Sequence, residues 1–183
     1  MNITETVTSS ERVYEGRVVS LRIDTVTLPN GKEGRREVVE HGGAVAVVAL
    51  NEYGDALLVR QFRLPTGGPL LEVVAGGIDG DEDPAEAAAR EMAEEIGLRP
   101  GRLTPLFGAW VAPGYCSEKI YGFLAEDLTP APGFRTDHDE FVETVAMPLD
   151  DAISAIADGR IEDMKSIATL LASARYLASR RLV

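Results

Sequence analysis

The segment from Gly76 to Leu98 leaves the chain little choice of local structure. Gly76-Gly77 permits a sharp turn that exposes its carbonyls. Asp83-Pro84 then opens a helix: aspartate is a good N-cap, and proline suits the first helical position, where its missing N–H is not needed. Pro84 to Ile96 is rich in Ala and Glu, both strong helix formers, and Gly97 stops it with a left-handed cap. Glu94 and Glu95 follow Glu91 by three and four residues, so three carboxylates fall on one helical face. For a bare pair of glutamates, a solvated acidic face is the ordinary reading. Three of them beside a glycine turn form instead a set of oxygen donors suited to a hard divalent cation such as Mg²⁺. Glu82 in the loop and Arg90 on the helix are a pair that can brace one against the other.

The rest of the chain reads as a mixture of strands and helices. Strands are expected from Val13 to about Glu40, with alternation over Ser20–Val26, a turn at Pro29-Asn30-Gly31-Lys32 and a partner strand over Arg35–Val39. Residues 1–10 are polar and expected to fray. Ala44–Leu50 is a short apolar run that reads as a buried strand, followed by a turn and a strand over Ala56–Phe62. Gly67-Gly68-Pro69 breaks the chain before Leu70–Val74, and further strands are expected over Pro105–Val111, Lys119–Leu124 and Phe141–Met147. Leu149–Ala157 and Asp163–Arg180 read as helices, the second carrying an apolar stripe of Ile167, Leu170, Leu171, Ala174 and Leu177. The organisation is an N-terminal antiparallel β extension over 1–40 and a mixed body over 41–183.

Charge narrows the function. A net charge of −12 over 183 residues argues against non-specific binding to nucleic acid or to an anionic membrane, both of which need clustered Lys and Arg. An acidic chain can still bind a phosphate ester if metal ions lie between the two sets of negative charge. The single cysteine, Cys116, excludes an intrachain disulfide and a Cys-rich zinc site. No apolar run reaches membrane-spanning length and the first residues carry no leader pattern, so the cytoplasm is the expected location.

Gly76, five residues, Glu82, seven residues, then Arg90-Glu91, an apolar residue, any residue, Glu94-Glu95, any residue, Gly97 and an apolar residue: this resembles the signature of the Nudix hydrolases with every position filled. Seven specified residue types at about one in fifteen each coincide by chance about once in 10⁸ windows. The resemblance implies an α+β Nudix fold, a mixed β-sheet sandwiched between α-helices, here with the N-terminal antiparallel extension. It implies that Glu91 and Glu95 are direct ligands of two or three Mg²⁺ ions, with Mn²⁺ as the alternative. Glu94 is implied as a ligand directly or through water, with a share in catalysis, and the Ala75 carbonyl as a further ligand.

Other segments are similar to elements of the ADP-ribose pyrophosphatases: Arg36–Val45, Val59–Arg63, Leu71–Gly76, Ala112–Glu118 and Gly159–Ser166. From these the resemblance implies substrate contacts by Arg36 and Arg63 on the diphosphate, by Glu118 on ribose hydroxyls, and by the backbone at Gly77 and Ala112. Tyr115 is either a flank of the pocket or a core aromatic. The general base is expected in the loop Thr136–Phe141, with Glu140 favoured and His138 second, because one register puts the histidine where relatives carry glutamate. Divalent ions would bridge carboxylates and diphosphate for an in-line displacement by water, giving AMP and ribose 5-phosphate. Arg17-Val18-Val19-Ser20 sits where relatives carry an aromatic that stacks on adenine, and valines do not stack. A GDP-mannose- or UDP-glucose-type substrate is therefore the alternative, and a catalytically weak ligand-sensing protein the third reading. The family also implies a homodimer formed through the N-terminal sheet.

Overall fold

A computed structural model describes residues 2–133 and 141–180. The chain forms two compact units, one of residues 1–43 with 110–119 and one of residues 44–109 with 120–183.

The first unit is a three-stranded antiparallel sheet of β1 (Thr6–Glu15), β2 (Val19–Thr27) and β3 (Glu33–His41), in that order. Gly31 closes the β2–β3 turn at φ 79°, and its N–H donates to the Leu28 carbonyl at 2.8 Å. The expectation that residues 1–10 fray is corrected here. Strand β1 starts at Thr6 and pairs with β2 from Thr6↔Thr27 to Glu15↔Ser20. All ten of its residues are exposed, so it has no buried face to read from periodicity, and the backbone ladder to β2 orders it. The buried Asp24 carboxylate ties the strands together, accepting from Ser10 Oγ at 2.6 Å and Arg22 Nε at 3.0 Å. Residues 110–119 join the free side of β3, where Val39 N donates to the Tyr115 carbonyl at 2.7 Å and Ser117 N to the Val39 carbonyl at 3.0 Å.

The second unit is a mixed six-stranded sheet between helices. Its strands are β4 (Ala44–Leu50), β5 (Asp55–Arg63), β6 (Gly68–Gly77), β7 (Leu98–Trp110), β8 (Lys119–Pro130) and β9 (Glu143–Pro148), ordered β7-β8-β4-β6-β5-β9. Strand β4 runs parallel to β8 and antiparallel to β6. Every residue of β4 is buried because both of its faces are covered. Ala44, Ala46, Val48 and Leu50 pack with Ala152, Ala155 and Leu170 of α2 (Leu149–Ala157) and α3 (Met164–Arg180). Val45, Val47 and Ala49 pack with Ala87, Ala88 and Met92 of α1 (Pro84–Ile96). Strand β7 begins directly after α1, seven residues before the expected Pro105. Its prolines argue for a break, but β7 is a sheet edge, where a missing N–H is tolerated. Among the described residues no helix is long and apolar enough to cross a membrane.

Candidate active site

Helix α1 has the ends its sequence dictates. The Asp83 side chain accepts from Ala85 N at 2.8 Å, and Gly97 caps the other end at φ 68° with its N–H on the Met92 carbonyl. Burial of Ala87, Ala88, Met92 and Ala93 fixes the rotation of the helix about its axis. Arg90 is the hub of the polar side. Its Nε and Nη2 hold the Glu82 carboxylate at 3.1 and 2.9 Å, Nη2 also donates to the Gly77 carbonyl at 2.8 Å, and Nη1 meets Glu91 at 2.7 Å and Glu94 at 3.0 Å. The bond to Arg90 holds the Glu82 carboxyl below its ordinary pKa, against the opposing effect of burial. The Arg90 guanidinium is raised above its own, chiefly by Glu82 and then by Glu91, so the Glu82–Arg90 pair is charged at neutral pH.

Strand β6 supplies the other wall. A Cβ on Gly76 would lie 1.9 Å from the carboxyl carbon of Glu91 and 2.1 and 2.2 Å from its oxygens. The carboxylate thus occupies the space that only glycine leaves open beside Ala75. Glu95, 8% exposed, accepts from Ala75 N through Oε2 at 3.3 Å. Ala75, Glu91 and Glu95 therefore meet at the end of β6. Glu94 lies on the outer side, held by Arg90. Among the described residues no three acidic side chains close into a cage, and Arg90 Nη1 contacts both Glu91 and Glu94. The donor set nonetheless fits a hard divalent cation: carboxylate oxygens beside a strand-end carbonyl, with space for one of them made by Gly76.

Strand alternation puts Val59, Gln61 and Arg63 of β5 on the sheet face that α1 covers, and Glu72, Val74 and Gly76 of β6 on the same face. Arg63 bonds the buried Glu72 carboxylate with Nε at 3.0 Å and Nη2 at 2.6 Å. Burial pulls the Arg63 pKa down, but Glu72, with smaller effects from Glu95 and Asp163, more than offsets it. Gly77, at the exposed end of β6, keeps its carbonyl on Arg90.

The remaining predicted contacts belong to the first unit. Arg36 pairs with Glu5 through Nε at 2.9 Å and through Nη2, and its Nη1 donates to the Arg35 carbonyl at 2.9 Å. A cavity of about 450 Å³ beside it is lined by Val38, Trp110, Pro113, Tyr115 and Cys116 among others. Trp110 and Tyr115 are 57% and 61% exposed, and Lys119 Nζ sits 5.7 Å from the Trp110 ring centre. The Ala112 carbonyl accepts from Tyr115 N at 3.0 Å and Cys116 N at 2.8 Å, making the turn that ends at Glu118. Glu118 Oε1 lies 3.8 Å from His41 Nδ1. Glu140 and His138, the candidates for the base, lie outside the described residues.

Residues 40–170 match the model of the NUDIX domain, and residues 5–39 that of the nucleoside diphosphate sugar hydrolase N-terminal domain. The chain is a Nudix hydrolase. It is 36% identical over 166 residues to an ADP-ribose pyrophosphatase of Bacillus subtilis (strain 168), covering 90% of each chain. It is 37% identical over 147 residues to a GDP-mannose pyrophosphatase of Yersinia pestis (strain Pestoides F), covering 74% of this chain and 72% of the other. A solved structure described as an ADP compounds hydrolase superposes with a TM-score of 0.89 at 25% identity over the full length of both chains. This Nudix hydrolase is therefore a nucleoside diphosphate sugar pyrophosphatase with the α+β Nudix fold, and its family uses a divalent metal. Residue-by-residue reading of the sequence passed over three groups near the candidate contacts. Glu72 and Lys165 carry a buried charge cluster, and Trp110 lines the cavity beside Arg36. A glutamate inside the apolar run Leu70–Val74 is the one local signal that could have found the first.

In this Nudix hydrolase the group that an added Cβ at Gly76 meets is the far end of a flexible side chain. Gly76→Ala is therefore expected to leave the fold intact by circular dichroism while displacing Glu91. Mn²⁺ affinity by isothermal titration calorimetry should fall about tenfold or more. Unchanged affinity would remove Glu91 from the ligand set.

Proposed function

We propose that this enzyme hydrolyses ADP-ribose to AMP and ribose 5-phosphate. The observation that carries the reading is the match to an ADP-ribose pyrophosphatase along nine-tenths of both chains, against three-quarters or less for the GDP-mannose enzyme. A second observation supports the nucleoside end. The valines at 18 and 19 give a base nothing to stack on, but the exposed Trp110 and Tyr115 do, beside Arg36.

Each residue then has a task. Glu91, Glu95 and the Ala75 carbonyl, with Glu94 directly or through water, would hold two or three Mg²⁺ ions, which would supply charge neutralisation and a more acidic attacking water. Arg90 and Glu82 keep those carboxylates and the Gly77 turn in register. Arg63 binds the diphosphate, Arg36 its nucleoside side, Glu118 a ribose hydroxyl, and the backbone at Gly77 and Ala112 lines the pocket. Glu140 accepts the proton of the attacking water, with His138 as the other candidate. The N-terminal sheet pairs two chains into a homodimer, a reading supported by the exposed Val7, Val13 and Tyr14 on β1.

Three measurements check this. In a Mg²⁺-supported panel, ADP-ribose should give the highest kcat/KM, with AMP as product; a preference for GDP-mannose or UDP-glucose would replace the substrate. In single-turnover assays Glu140→Gln should slow the chemical step about 100-fold or more, and a large loss only in His138→Ala would move the base there. Light scattering should give twice the 19.7 kDa chain mass, and a monomer would remove the dimer.

A further inference from the structure

Glu72 interrupts an apolar stretch of β6, and its side chain is 2% exposed. A lone carboxylate in that position would be strongly disfavoured by lost hydration. Three donors and an ion pair meet it instead: Gln61 Nε2 at 3.2 Å, Arg63 Nε at 3.0 Å and Arg63 Nη2 at 2.6 Å donate, and Lys165 Nζ lies 3.3 Å from its Oε1. Lys165 comes from the first turn of α3 and also pairs with Asp163 Oδ2 at 2.8 Å. Asp163 caps that helix, accepting from Ser166 N at 3.0 Å and from Ser166 Oγ. The same Ser166 Oγ accepts from Val73 N at 2.9 Å. The start of α3 is thereby fastened to the Glu72-Val73 peptide by one ion pair and one backbone bond. Two cations face two carboxylates, and the cluster is neutral.

Arg63 shows Glu72 only one edge of its guanidinium. Nη1 and the second Nη2 hydrogen make no hydrogen bond among the described residues, and the side chain is 37% exposed. That second edge is a fork matched to two phosphate oxygens. Lys165 is mostly buried and is committed to Glu72 and Asp163, so any effect it has on substrate passes through Arg63.

We infer that Lys165 is a positioning residue for substrate binding: by sharing the Glu72 carboxylate with Arg63, it holds the guanidinium with its second edge turned to the diphosphate. Without the lysine charge, two carboxylates face one cation. Arg63 is then drawn onto them and its field at the substrate is cancelled. The inference rests on the reading that Arg63 binds the diphosphate, but not on which sugar the substrate carries.

The test is steady-state kinetics of the full chain with whichever nucleoside diphosphate sugar the panel shows to be hydrolysed fastest. A substrate other than ADP-ribose would overturn the ADP-ribose reading alone. Lys165→Met should raise KM about tenfold with kcat within about twofold, the pattern of lost binding common to ground and transition states. Lys165→Arg should restore KM to near wild type. In an Arg63→Gln background, Lys165→Met should add no further change in KM, because the two act in series. An unchanged KM in Lys165→Met, or the same rise in both backgrounds, would overturn the inference. So would a fall in kcat and melting temperature with KM unmoved, which marks a purely structural role. Should Lys165→Met fail to fold, Lys165→Gln keeps a donor without the charge and carries the same comparison.

Discussion

The site depends on the fan of bonds from Arg90. One guanidinium reaches back to Glu82 and the Gly77 carbonyl in the loop, and along its own helix to Glu91 and Glu94. Without it, Glu91 and Glu94 would lose the cation between them and the Gly77 carbonyl its tie to the helix. The planar fork matters as much as the charge. A lysine could neutralise one carboxylate but not hold a loop carbonyl and three acids in fixed directions. Glu82 and Arg90 stabilise each other's charged forms, so the brace persists at the neutral pH where carboxylates bind divalent ions.

That brace stands on a sheet packed on both faces. Strand β4 is buried on both faces, and its two sets of small side chains let α1 on one side and the α2–α3 pair on the other pack closely. Two-residue periodicity in β5 and β6 then does the placing. Arg63, Glu72 and Gly76 emerge on the face that carries α1, which brings an arginine, the carboxylate it bonds and the glycine gap to the helix that carries the glutamates.

The parts legible in the sequence were those built from local chemistry. Asp83, Pro84 and Gly97 fix the ends of α1 within one turn of each end, and Glu82, Arg90, Glu91 and Glu94 bond one another through the helix and the loop that leads into it. The turn at Gly31 and the buried run of β4 were readable for the same reason. Strand β1 was not, because its order comes from pairing with β2 while all its side chains face solvent. The role of Glu72 was not, because its partners lie nine and eleven residues away in β5 and 93 residues away in α3. A glutamate in an apolar strand is visible in the sequence; which cation balances it is a property of the packed sheet and helix.

Charge reconciles an acidic chain with an anionic substrate. At −12, the protein as a whole repels a free nucleotide and attracts divalent cations. Its cations near the candidate contacts are mostly committed: Arg90 to five oxygens on four residues, Lys165 to two carboxylates, Arg36 to Glu5. On the proposed reading, the positive charge that draws in the diphosphate would come largely from divalent metal held by the glutamates. What the protein adds is direction rather than net charge. On the proposed reading the second edge of Arg63 would be such an addition: a fork held by the Glu72 carboxylate that would set how a diphosphate lies.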